Sequence, residues 1–128
     1  MGDGLIISSF LMTLRHLLAI GWTLGILAAC SIPGSSVPSV SFFEADKFGH
    51  FGLFFGLGWL WMWALRLPLG KRTWAVLIGG IAYAGLTEIY QGLLPFERTP
   101  DLFDALANTL GLLASVGVFR FWRARTER

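Results

Sequence analysis

The chain has 128 residues, 55% hydrophobic and only 14% charged, with six Trp and eleven Phe; its mean hydropathy is +0.64. A soluble domain carries about 25% charged residues, so there are too few charges here to coat a water-facing surface. That argues against a soluble globular enzyme and excludes disorder. The net charge of +2 does not point to nucleic acid, because the basic residues flank apolar runs, where membrane topology explains them.

The length fits one domain, residues 1–128. Four helices of about 20 residues would use about 80 of them. The composition therefore predicts an all-α fold, an integral membrane bundle of four transmembrane helices. In chain order, the spans are expected at about 15–32, 48–67, 74–94 and 102–121. The connections are rich in turn formers: Pro33-Gly34-Ser35-Ser36-Val37-Pro38, then Pro68-Leu69-Gly70, then Pro95 to Pro100, with Asp101 as the expected N-cap of the fourth helix.

In the first run, Leu27-Ala28-Ala29-Cys30 resembles a bacterial lipobox, with Arg15 and His16 upstream. Cleavage there would leave a lipid-bearing Cys30 and three spans. The long, partly apolar lead-in favours an intact first helix instead. Cys30 is the sole cysteine and cannot form an internal disulfide. His16 reads as an interfacial residue without a partner.

Small residues recur at packing intervals: Gly21, Gly25 and Ala29; Gly52 and Gly56; Gly111 and Ser115. This spacing lets helix backbones approach closely. It suits a bundle or a homodimer equally.

Basic residues orient the bundle. With the N-terminus inside, Arg15, Arg66, Lys71, Arg72, Arg120, Arg123, Arg125 and Arg128 fall inside, against Lys47 and Arg98 outside. The bias predicts an N-in/C-in topology. Trp59, Trp61, Trp63, Trp74 and Trp122 lie near the same inner ends, as interfacial anchors would.

Polar residues gather toward the other end. Asp46 and His50 are four apart and share a helix face, with Lys47 beside them. Glu88 and Gln91 are three apart in the third run. Asp101, Asp104 and Asn108 stand at i, i+3 and i+7 in the fourth. Glu88 must face the bundle interior or be neutral, since a carboxylate in lipid costs at least about 2.5 kcal/mol. Its expected partners are Asn108, His50 or Arg98.

These residues carry a resemblance. Asp46-Lys47-Phe48-Gly49-His50-Phe51-Gly52-Leu53-Phe54 resembles the first signature of VanZ-like membrane proteins. Glu88 and Gln91, followed by Pro95, Arg98, Asp101, Asp104, Asn108 and Gly111, resemble the second. The resemblance covers about residues 20–118. It implies a multi-pass protein of a bacterial plasma membrane with a cell-envelope role, in a family named for teicoplanin resistance. It supplies no settled reaction.

Three functional readings follow. In the first, an outward-facing pocket binds a membrane lipid head group, a cell-wall precursor or a glycopeptide. Lys47, Gln91, Arg98, Asp101 and Asn108 would be its ligand-binding residues. In the second, the protein is a membrane enzyme on a lipid-linked or phosphorylated substrate, with His50 as acid or base and Glu88 or Asp104 as its partner. In the third, Glu88 carries a proton in a coupled transporter. Asp46, His50, Glu88 and Asp104 include metal-ligand types, but their spacing matches no dedicated motif. The sequence assigns neither a metal nor another cofactor.

Overall fold

The computed structural model describes residues 2–32, 42–95 and 102–128, with side chains of 42–45 left aside. Among the described residues the fold is four α-helices without a strand: α1 (Gly2–Cys30), α2 (Phe42–Ala64), α3 (Leu69–Leu93) and α4 (Leu102–Thr126). The first three begin ahead of the apolar runs that mark them in the sequence. The expected N-cap Asp101 and the turn at 33–38 lie outside the described residues.

Contacts fix the helix directions. α2 and α4 share the largest interface and run parallel, with Lys47 near Asp104 at one end and Trp59 against Phe119 nearer the other. α3 runs against α4, bringing Thr73 to Arg120. α1 runs against α2 and along α3, tying Thr23 to Trp61 and Tyr83. α2 touches all three other helices, while α1 and α4 do not meet among the described residues.

The parallel pair is set by small residues. A Cβ on Gly111 would strike the backbone carbonyl of Phe51, and one on Gly58 would strike the Ser115 hydroxyl. Ser115 Oγ in turn donates to the Leu112 carbonyl at 2.8 Å. Gly56 admits the Trp22 indole, 2.6 Å from where its Cβ would stand. Gly111 and Ser115 thus serve close helix packing, as their spacing predicts. Gly21, Gly25 and Gly52 face open space instead.

Two apolar clusters fill the interior. Ile26, Cys30, Phe54, Leu57 and Ala84 form one; Met62, Val76, Leu112, Val116 and Phe119 form the other. Cys30 is the last residue of α1 and is buried in this core, while Ala28 of the lipobox-like string is exposed. His16 is not partnerless: its Nδ1 lies 2.8 Å from the Met12 carbonyl, one turn back.

Pro68 precedes α3 with φ −49° and ψ 143°, where its missing N–H costs the helix nothing. Arg72 in the first turn of α3 donates to the carbonyls of Met62 and Leu67 at 3.1 and 2.8 Å. It satisfies the Met62 carbonyl in the last turn of α2, which no helix bond reaches, and the Leu67 carbonyl in the connection that follows.

The exterior is apolar. Leu5, Ile6, Ile7 and Phe10 of α1 are 58% to 72% exposed. Ile78, Leu86 and Ile89 of α3 and Leu110 and Phe121 of α4 also point outward. Exposed apolar area on this scale marks a surface covered by lipid or protein. α1 and α4 are each long and apolar enough to cross a membrane.

Candidate functional site

Of the polar residues predicted to converge, Lys47, His50, Asp104 and Asn108 meet between the N-terminal halves of α2 and α4. Their helix spacing explains it: 46 and 50 share one face of α2, and 104 and 108 share one face of α4. Because the two helices run parallel, both faces meet at the same end.

Lys47 Nζ pairs with Asp104 Oδ1. His50 Nδ1 donates to Asn108 Oδ1 at 2.8 Å. Its other nitrogen, Nε2, faces two carboxylates, Asp104 Oδ2 at 3.6 Å and Asp46 Oδ1 at 3.7 Å. His50, Asp104 and Asn108 are buried, and Asn108 is fully so. The Lys47 ammonium offsets part of the cost of burying the Asp104 carboxylate.

Asn108 completes only half of its bonding. Its Nδ2 is buried and has no hydrogen-bond acceptor among the described residues. A buried donor left so costs about 1–3 kcal/mol. It points to a group supplied from elsewhere.

α3 brings Thr87, Glu88 and Gln91 to the same end, all buried. Thr87 Oγ1 donates back to the Ala84 carbonyl at 2.9 Å. His50 takes the Asn108 carbonyl. Arg98 and Asp101, both expected in the pocket, lie outside the described residues.

Asp46, His50 and Asp104 offer ligand atoms within 4.8 Å of one another. That donor set could hold a cation, but the Lys47 ammonium already engages Asp104.

Several contributors escaped sequence reasoning. Asp46 was noted for its spacing but not counted among the site residues, yet it reaches His50. Tyr90, between Glu88 and Gln91, pairs its hydroxyl with Ser31 Oγ at 2.7 Å and holds the end of α1 onto α3. Trp22 donates its indole N–H to the Leu53 carbonyl at 2.8 Å. An aromatic bearing a polar handle inside an apolar run was the available signal. The tryptophans expected as plain anchors divide. Trp74 is 66% exposed, whereas Trp59 packs edge-on against Phe119, with ring centroids 5.1 Å apart.

A chain whose described residues are helical, with an apolar exterior and a polar cluster buried between two parallel helices, is a protein of the membrane-associated class. Comparison with known families agrees. The VanZ/LLP1 family model matches residues 28–123, so the chain belongs to the VanZ/LLP1 family. Searches of curated proteins and of solved structures give no match.

Proposed function

We propose that the chain is a four-span, N-in/C-in protein of a bacterial plasma membrane whose outward-facing cluster recognises the polar part of an envelope ligand. The ligand class is a lipid-linked cell-wall precursor or a glycopeptide such as teicoplanin, and the role is glycopeptide resistance or envelope homeostasis. The topology rests on the gathering of Arg15, Arg66, Arg72, Arg120 and Arg123 at the end opposite the cluster. The single observation that carries recognition is the buried Asn108 amide, which has a donor to give beside an ion network able to orient a partner. Lys47 supplies positive charge there. Arg98 and Asp101 would come to the cluster from the connection between α3 and α4.

The test is native mass spectrometry of the detergent-solubilised protein with a polyprenyl diphosphate-linked cell-wall precursor, and separately with teicoplanin. One of the two is expected to stay bound to the wild type. Asn108→Leu, which removes the donor but keeps the size, is expected to weaken it by about tenfold. Equal retention by both proteins would overturn the reading.

A second reading has its own observation. His50 is held at Nδ1 by Asn108 and presents Nε2 to two carboxylates, the arrangement of an oriented acid or base. In a membrane enzyme acting on the same ligand class, His50→Gln would abolish turnover of the precursor while its binding survives. In a binding protein, the same change would alter binding alone.

A further inference from the structure

The opposite end of the bundle carries a concavity remote from the polar cluster. It has a volume of about 310 Å³, and arginines from three helices and one connection converge on it: Arg15 of α1, Arg66 after α2, Arg72 of α3 and Arg123 of α4. Trp63 and Trp122 form aromatic walls. Like charges repel, so four guanidinium groups around one cavity need a reason beyond helix packing.

Their partners are few. Arg72 is committed to the carbonyls of Met62 and Leu67. Burial, and then the charge of Arg123, lowers its pKa from the usual arginine value. Arg123 pairs with Glu127, the one acid in an ion pair at this cavity among the described residues. Arg15 lies over the Trp63 ring, 4.6 Å from its centroid. The Nε atoms of both Arg15 and Arg123 are buried without a hydrogen-bond partner among the described residues. Two half-buried arginines thus border one cavity, each with its Nε–H unanswered among the described residues.

We propose that this cavity binds a phosphate group, with Arg15 and Arg123 donating from opposite walls and Arg66 closing the exposed side. The planar guanidinium offers paired N–H donors that match phosphate oxygens, and it is the usual side chain for such recognition. Basic pockets between helices beside a membrane surface take anionic lipid head groups. Leu11, Leu14 and Leu18, exposed on the turns of α1 on either side of Arg15, offer apolar surface to the acyl chains of such a lipid. The same donors would also take free phosphate, so the experiment separates the two sources. None of this rests on the polar cluster or on its ligand.

The experiment uses the full chain in detergent. Native mass spectrometry measures retention of phosphatidylglycerol against phosphatidylcholine, and Trp fluorescence, with Trp63 and Trp122 in the walls, follows titration with inorganic phosphate. Four variants are compared: Arg15→Gln with Arg123→Gln as a double change, Arg123→Lys, Glu127→Gln, and Arg125→Gln. Arg125 is exposed at the same end and does not line the cavity.

Wild type is expected to retain phosphatidylglycerol preferentially, and the double variant to lose at least about tenfold of that preference. Arg123→Lys keeps the charge but removes the fork, and is expected to fall in between. Glu127→Gln frees Arg123 from its carboxylate and is expected to raise retention; a gain cannot come from misfolding. Arg125→Gln is expected to stay within about twofold of wild type, because an exposed charge is screened. A saturable response to inorganic phosphate that the double variant loses, with no lipid preference, would assign the same site to soluble phosphate. Equal losses in Arg125→Gln and the double variant would show general surface charge and overturn the site. So would no response to either probe in a wild type that is folded by circular dichroism.

Discussion

The two ends of the bundle handle charge in opposite ways. At one end, the Lys47 ammonium pairs with Asp104, and His50 lies beside both Asp104 and Asp46. At the other, arginines line a cavity with a single paired acid, Glu127, among the described residues. The packing differs to match. Gly111 lets α4 close onto the Phe51 carbonyl beside the polar cluster, whereas Trp59, Phe119 and Trp122 form an aromatic cluster of the same two helices toward the arginine end. The lesson is that charge is buried where backbones approach and ion partners are in reach. Where arginines line a cavity beside aromatic rings, their charge is left to be answered from outside.

The most damaging way to break this contrast is to part the helices at the polar end. Gly111→Leu would place side-chain atoms where the Phe51 carbonyl stands, and backbone cannot move aside as a flexible side chain can. The expected loss is roughly 3 kcal/mol or more. It should appear as loss of the folded, monodisperse species in size-exclusion chromatography and circular dichroism. Gly21→Leu is the control: nothing lies within 4 Å of that position, so folding should survive. If the two variants behave alike, close approach at Gly111 is not what joins α2 to α4.

Next comes the ion pair. Lys47→Met leaves Asp104 buried without its ammonium, and breaking a buried pair costs about 3–5 kcal/mol. The lower figure is expected, because the Lys47 side chain keeps 18% exposure. Lys47→Met combined with Asp104→Leu removes the stranded charge and should recover most of the loss. Thermal unfolding in detergent across this cycle measures the coupling. A double variant no better than the single one would mean that Lys47 acts through something other than Asp104.

Smaller effects separate cohesion from function within the cluster. Asp104→Asn keeps the shape but weakens contacts to Lys47 and His50, and should cost about 1–3 kcal/mol. Glu88→Gln should shift stability by less than about 1 kcal/mol, since a neutral amide is easier to hold in an apolar bundle than a carboxylate. If both variants melt several degrees lower at matched expression, the cluster is mainly helix cohesion. If Glu88→Gln holds or gains stability, that charge is kept against stability, as functional groups often are.

Much of this architecture was legible in the sequence, for identifiable reasons. The all-α class follows from long apolar runs broken by Pro and Gly. The meeting of His50 with Asp104 and Asn108 follows from two helical spacings, once both segments are placed at one end by the basic-residue bias. Helix periodicity names the face but not the neighbour. It leaves open which of Asn108, His50 or Arg98 would meet Glu88, and only the parallel register of α2 and α4 brings Asn108 to His50. The arginine cavity was hidden for another reason. Arg15, Arg66, Arg72 and Arg123 are far apart in sequence and read singly as topology markers, so only folding shows that they share one space. The same holds for Tyr90, whose hydroxyl meets Ser31 across 59 positions.

The smallest expected effect returns to the two ends, because each carries an ion pair of the same nominal kind. Arg123 and Glu127 are one helical turn apart, and their side chains are 37% and 59% exposed. Water screens such a pair, and i,i+4 pairs of this sort contribute about 0.3–0.5 kcal/mol. Glu127→Gln should therefore leave the melting temperature nearly unchanged, while Lys47→Met, at the buried end, lowers it clearly. Raised salt should narrow the small difference for Glu127→Gln and leave the larger one for Lys47→Met almost untouched, since buried pairs are little screened. A large, salt-insensitive loss in Glu127→Gln would mean that Glu127 holds the arginines together as an internal counter-charge. The arginine end would then be a second internally paired cluster, and the contrast between the ends would collapse.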